Sequence, residues 1–136
     1  MTKLEELEQR LYEEDIFLFE TQTRDIKAAV INYNKKNAIV YDKTKLETAA
    51  ELNSAFLHEY YHLQTGALYT LDDSLRTRQR REYKANKRLA LEYIPIEEVK
   101  EKLKKGYLKY EIAEELCITE ELLNEAIRIY RNMGEM

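Results

Sequence analysis

Apolar positions along the chain change their period twice, and the changes mark its elements. Leu4, Leu7 and Leu11 recur three and four apart among acidic residues, which predicts a short amphipathic helix over about 3–13. Phe17 and Phe19 follow in the same N-terminal stretch. Two β-branched and aromatic runs, Ala28-Ala29-Val30-Ile31-Asn32-Tyr33 and Ala38-Ile39-Val40-Tyr41-Asp42, then flank Asn34-Lys35-Lys36-Asn37. Strand, polar turn, strand is the pattern of a β-hairpin over 27–42. Two strands alone are marginally stable, so this hairpin is expected to lie against helices. Thr44-Lys45-Leu46-Glu47 has the spacing of a capping box and predicts the start of a long helix, 45–64. Leu46, Ala49, Ala50, Asn53, Phe56, Leu57, Tyr60 and Tyr61 form its apolar side, and Gly66 is its stop signal. Residues 70–74 read as a loop whose Asp and Ser can cap a helix over 75–93, which Pro95 ends. A short helix, 96–104, runs to Gly106, and two more, 110–118 and 119–130, meet at a tight turn with Thr119 as N-cap.

The bulk numbers narrow the class. A chain of 136 residues is enough for one domain with a real core. An apolar fraction of 44% with three Gly and one Pro indicates a folded, mostly helical chain. The fold expected is therefore α+β and mainly α-helical, a small β-hairpin packed against a long helix with a helical tail after it. The net charge of −4 gives no global electrostatic case for nucleic-acid binding. Cys117 is the single cysteine and sits among apolar neighbours, so the expectation is a buried thiol in a reducing compartment. The N-terminus has no apolar core of a signal peptide, and no stretch approaches the ~18–20 apolar residues of a membrane span. A cytoplasmic location, without membrane association, is the expectation.

Candidate chemistry concentrates at His58-Glu59-Tyr60-Tyr61-His62, inside the long helix. Positions i and i+4 share a helix face, so both imidazoles can reach one ion. Glu59 stands one position round the helix, outside the set of ligands but close enough to hold a water. The chain has two histidines, and both are here. Two His placed at random in a chain this long fall four apart in roughly 1–2% of cases, so a metal reading is preferred to chance. Zinc takes imidazole readily, and catalytic zinc sites have three protein ligands and one open position. Glu82 is the preferred third ligand. It shares a face with Ala85, Asn86, Leu89 and Tyr93, and a carboxylate on that small, apolar side requires a cation. Asp72 and Asp73 compete for the role but read more simply as a solvated loop tip.

Other features carry less. Arg76, Arg78, Arg80 and Arg81 read as a solvated face, the alternative being an acidic or phosphate-bearing partner. A strand edge beside a metal cleft could bind an extended peptide by β-addition. Residues 107–132 have a helix-turn-helix look, but Glu120, Glu121 and Glu125 stand where a groove-reading helix needs Arg, Asn or Gln. They are read as a structural pair.

His58-Glu59-x-x-His62 followed by Glu82-x-x-Ala85-Asn86 and Pro95 resembles the ImmA/IrrE family of metallopeptidases, over roughly residues 28–130. The 19 residues between His62 and Glu82 are similar to the spacing of other two-His, one-Glu zinc peptidases. Position 65 is Thr and position 68 is Leu, so the metzincin continuation is absent. Tyr60 and Tyr61 depart from the family, in which a small residue often precedes the second histidine. Chain length and the resemblance together are read as one metallopeptidase-like domain, 1–136. Its parts would be an N-terminal helix and connector (1–26), the hairpin and metal-site helices (27–95) and a C-terminal helical subregion (96–136). It implies Zn²⁺ on His58, His62 and Glu82 with Glu59 as catalytic base. It implies an endopeptidase of a phage, prophage or mobile element that cleaves or antagonises a helix-turn-helix repressor. Two rivals are a catalytically silent protein that regulates by binding a repressor and a DNA-binding module at 107–132. The oxyanion stabiliser stays open among zinc, a backbone N–H, Tyr and Arg.

Overall fold

The structure, a computed structural model, describes residues 1–66 and 73–136, apart from the side chain of Tyr33. Helix α1 spans Lys3–Glu13 under a full capping box, Thr2 accepting from the Glu5 N–H and Glu5 accepting from the Thr2 N–H. Leu7 and Leu11 form its buried face. Asp15, at φ 58°, breaks the helix and turns the chain into strand β1, Ile16–Glu20. The sequence reading has no strand here. Ile16 and Leu18 point to the core while Phe17 and Phe19 stay 53% and 64% exposed, so the segment alternates with the period of a strand. Its partner lies far along the chain, so nothing local signals the pairing.

Strands β2, Ala28–Tyr33, and β3, Lys36–Tyr41, form the expected hairpin. The turn is two residues rather than four: Asn34 and Lys35 both have positive φ (50° and 64°), and Lys36 and Asn37 belong to β3. Positive φ at both central positions is the geometry that matches strand twist. β1 adds in parallel on the other side of β3, Ile16 opposite Asn37 through Glu20 opposite Tyr41, so the sheet order is β1-β3-β2. The Asp42 N–H donates to the Lys27 carbonyl. In the alternating antiparallel pattern this turns the N–H and C=O of Val30 away from β3, toward the free edge of β2.

The long helix, α2, starts later than expected. Asp42 accepts from the Thr44 N–H (3.0 Å) and hydroxyl (2.5 Å), so Thr44 closes a 3₁₀ turn, Lys43–Lys45, instead of capping a helix. Leu46 is then buried, and α2 runs Ala49–Thr65 under Thr48, which accepts from the Glu51 N–H. Gly66 ends it in the left-handed region, as expected. Helix α3, Leu75–Tyr93, is capped by Ser74. Helices α4 (Ile96–Lys104), α5 (Lys109–Leu116) and α6 (Glu120–Asn132, capped by Thr119) follow the expected order. The expectations for residues 70–72 lie outside the described residues.

One buried cluster joins these parts: Leu11 of α1, Ile39 of β3, Leu57 and Tyr61 of α2, Leu89 of α3 and Leu123 of α6, among others. The fold is α+β and mainly helical. Tyr41 meets Phe56 edge-to-face at 4.9 Å and seats the sheet on α2. Polar bonds lock the C-terminal helices to the same helix. The Asn53 amide donates to the Cys117 carbonyl (2.8 Å) and the Tyr93 hydroxyl (3.0 Å), and Ser54 accepts from the Thr119 N–H (2.9 Å). The Tyr130 hydroxyl reaches the Ala90 and Ile94 carbonyls at 2.8 and 2.9 Å, tying α6 to the end of α3. Among the described residues no helix is long and apolar enough to cross a membrane.

Candidate metal centre

Helix α2 divides its last turns between packing and chemistry. Tyr61 is almost wholly buried in the core, and Tyr60 turns to α1, where its hydroxyl donates to Glu14 at 2.7 Å. Both tyrosines of the motif thus point away from the histidines and anchor the helix that carries them. On the remaining face the His58 and His62 rings stand edge-to-face with centroids 4.6 Å apart, and their Nε2 atoms are 3.1 Å apart.

Helix α3 brings Glu82 across this face. One carboxylate oxygen is 3.0 Å from His58 Nε2 and the other 3.0 Å from His62 Nε2. Among the described residues this is the one set of three side chains that could hold a metal ion. The donor chemistry fits such an ion. Two imidazole nitrogens at 3.1 Å present lone pairs to each other, an arrangement that needs a shared cation or a proton to be favourable. Donor atoms on a tetrahedral ion with bonds of about 2.0–2.1 Å lie about 3.3 Å apart, close to the spacing found here. Asp73 is not in the set and Asp72 lies outside the described residues. Glu82 keeps a third of its side-chain surface exposed, so the deep burial anticipated from its helix face is not what fixes its role. Its two imidazole contacts do that.

Asn86, one turn beyond Glu82, completes the set. Its Oδ1 lies 3.2 Å from His58 Nδ1. With this oxygen as acceptor, His58 carries its proton on Nδ1 and keeps the Nε2 lone pair for the centre. The sequence reading put Asn86 on the face of Glu82 but gave it no task, although the i, i+4 spacing was there to be used.

The electrostatics follow from crowding. Burial opposes ionisation of Glu82, but hydrogen bonds and charge from His58 and His62 outweigh it and hold the carboxyl well below the usual range. Burial lowers the basicity of His58, and the Glu82 carboxylate more than restores it, so the net shift is upward. Glu59 is half-buried beside the pair. Burial raises its pKa, the two imidazoles oppose the rise, and Glu82 adds to it. Its carboxylate also accepts from the Val30 N–H, the edge group of β2 that faces away from β3. The strand edge therefore lies directly beside the candidate base.

Two clefts flank the centre. One, of about 580 Å³, reaches from His58 and Asn86 along α2 to the start of α6. The other, of about 570 Å³, lies on the Glu82 side and includes Tyr83, Arg78 and Arg128. Asn86 and Glu125 border both. Helix α6, read from sequence as purely structural, is therefore also a wall of the site. Of the basic run, Arg76 and Arg80 are exposed while Arg78 and Arg81 are half-buried. Comparison with protein-family models, with characterised proteins and with solved structures finds no match.

Proposed function

We propose that this chain is a zinc-dependent endopeptidase of the ImmA/IrrE type, directed at a helix-turn-helix repressor of a phage or mobile element. One observation carries the reading: two imidazole nitrogens and a carboxylate converge within hydrogen-bond distances, with a second, half-buried carboxylate at the position after His58. Two imidazoles with one carboxylate are a donor set that suits zinc.

His58, His62 and Glu82 would hold the ion, and Asn86 would keep the His58 ring in the tautomer that binds. Zinc at this site supplies Lewis acidity toward a carbonyl and lowers the pKa of water toward about 7. Glu59 takes a proton on its carboxylate as water attacks the scissile carbonyl and delivers it to the leaving amine nitrogen. Its half-buried setting keeps that carboxylate poorly hydrated, which favours accepting a proton. The outward C=O of Val30 offers an extended substrate backbone an acceptor beside this base.

The test is metal content and cleavage in wild type, Glu59→Gln and Glu82→Ala. Wild type is expected to hold about one zinc per chain, and Glu82→Ala to lose it on dialysis. Glu59→Gln is expected to keep the metal while cleavage of the repressor encoded nearest to it, read by intact mass, falls by about 10²–10⁴-fold. Full cleavage by Glu59→Gln, or no zinc in wild type after reconstitution, overturns the reading.

A further inference from the structure

We propose that the cleft between α2 and the first half of α6 is a side-chain pocket for a basic residue, Arg or Lys, of an extended polypeptide bound across the metal centre. The reaction this serves rests on the peptidase reading; the binding does not.

The cleft begins at the centre itself, since His58 and Asn86 form one end of it. Its volume of about 580 Å³ is within the range of small-molecule pockets and leaves ample room for one long side chain. Its walls are of two kinds. Leu46, Ala55 and Leu122 make an apolar floor. Glu51, Glu121 and Glu125 stand around it, with Lys27 as the one cation in the lining among the described residues. Apolar and acidic groups lining one cleft match an aliphatic stem that carries a cation, the division within Lys and Arg themselves. A carboxylate entering the same space meets like charge, and a plain aliphatic chain brings nothing to offset it. The local bonds leave room for this. Glu51 accepts one N–H, from Glu47, which does not cancel its charge. Glu125 is shared with Arg128, whose side chain is two-thirds exposed on the side of the second cleft. Glu121 is exposed at the first turn of α6. That second cleft sets Arg78 and Arg128 beside Glu82 and Glu125, so it has no comparable excess of acid.

The test uses zinc-loaded Glu59→Gln protein, in which turnover does not obscure binding. The probes are fluorescein-labelled octapeptides of Ala and Gly carrying one Arg, Glu or Leu at successive positions, with Kd read by anisotropy. At one position Arg is expected to bind about tenfold tighter than Glu, and the preference should weaken with salt. Adding Glu121→Lys with Glu125→Gln should abolish or reverse it, and Glu121→Gln alone, at an exposed position, should reduce it. Circular dichroism and Tm check that each variant folds. Equal affinity for the three peptides at all positions, or a preference that a folded variant leaves unchanged, overturns the pocket. An Arg preference in binding, beside wild-type protein that cleaves none of the peptides or the repressor, upholds the pocket and removes the peptidase reading.

Discussion

Asn86 stands one turn from Glu82, so a single helix supplies both a candidate ligand and the acceptor that orients His58. Removing such an acceptor typically weakens metal affinity by about 10–100-fold without touching the ligands. Asn86→Ala is expected to show a loss of that size in competition against a chromophoric chelator, with an unchanged circular dichroism spectrum. Unchanged affinity would reduce Asn86 to a bystander. At this scale the sequence was readable where spacing alone decides. His58, Glu59 and His62 declare themselves within one helix turn, and Glu82 through its place among small and apolar neighbours. The task of Asn86 was not readable, because it depends on a contact with a residue 28 positions away. The proximity of Val30 to Glu59 was hidden for the same reason.

Helix α2 illustrates what limits reading an element. Thr44-x-x-Glu47 and Thr48-x-x-Glu51 have the same spacing, and local pattern does not choose between them. Asp42 decides, by taking the Thr44 hydroxyl for the 3₁₀ turn and leaving Thr48 as the cap. Thr48→Ala should therefore destabilise the protein by about 1 kcal/mol in urea denaturation. Asp42 also accepts from the Thr23 N–H, joining the segment after β1 to the approach to α2. The Thr23 and Thr44 bonds lower its pKa from 3.8 to about 2. A carboxyl depressed in the folded state contributes stability above its unfolded pKa, and loses it as pH falls through the folded one. The window is thus pH 4 down to 2. Asp42→Asn should be less stable than wild type at pH 6, and the gap should close across that window when Tm is followed against pH. A gap of constant size would show that the charge of Asp42 is not what matters. Strand β1 escaped the sequence reading because its pairing is parallel and remote, and its five residues resemble a helix tail as much as a strand.

Across the whole molecule, the C-terminal helices were legible as helices but not as part of the site. Two of the α6 acids that the sequence reading weighed only against a DNA groove, Glu121 and Glu125, border the cleft at His58. What holds that wall in position is the Tyr130 hydroxyl on the last turn of α3, with the Asn53 and Ser54 bonds at the other end. Tyr130→Phe leaves the packing but removes the bond, and should lower stability by about 1–2 kcal/mol. Guanidinium unfolding of the two proteins compares them directly; equal midpoints would mean that packing alone seats α6.

The middle strand of the sheet, β3, is the last of the three to be synthesised. As the chain is synthesised, β1 is complete before the strand that pairs with it exists. β2 is likewise made before its only neighbour. Pairing of either strand therefore waits until residues 36–41 are available between them. Until then the nascent chain carries two unpaired strands, which is the interval in which a chaperone holding apolar segments would matter most to its yield.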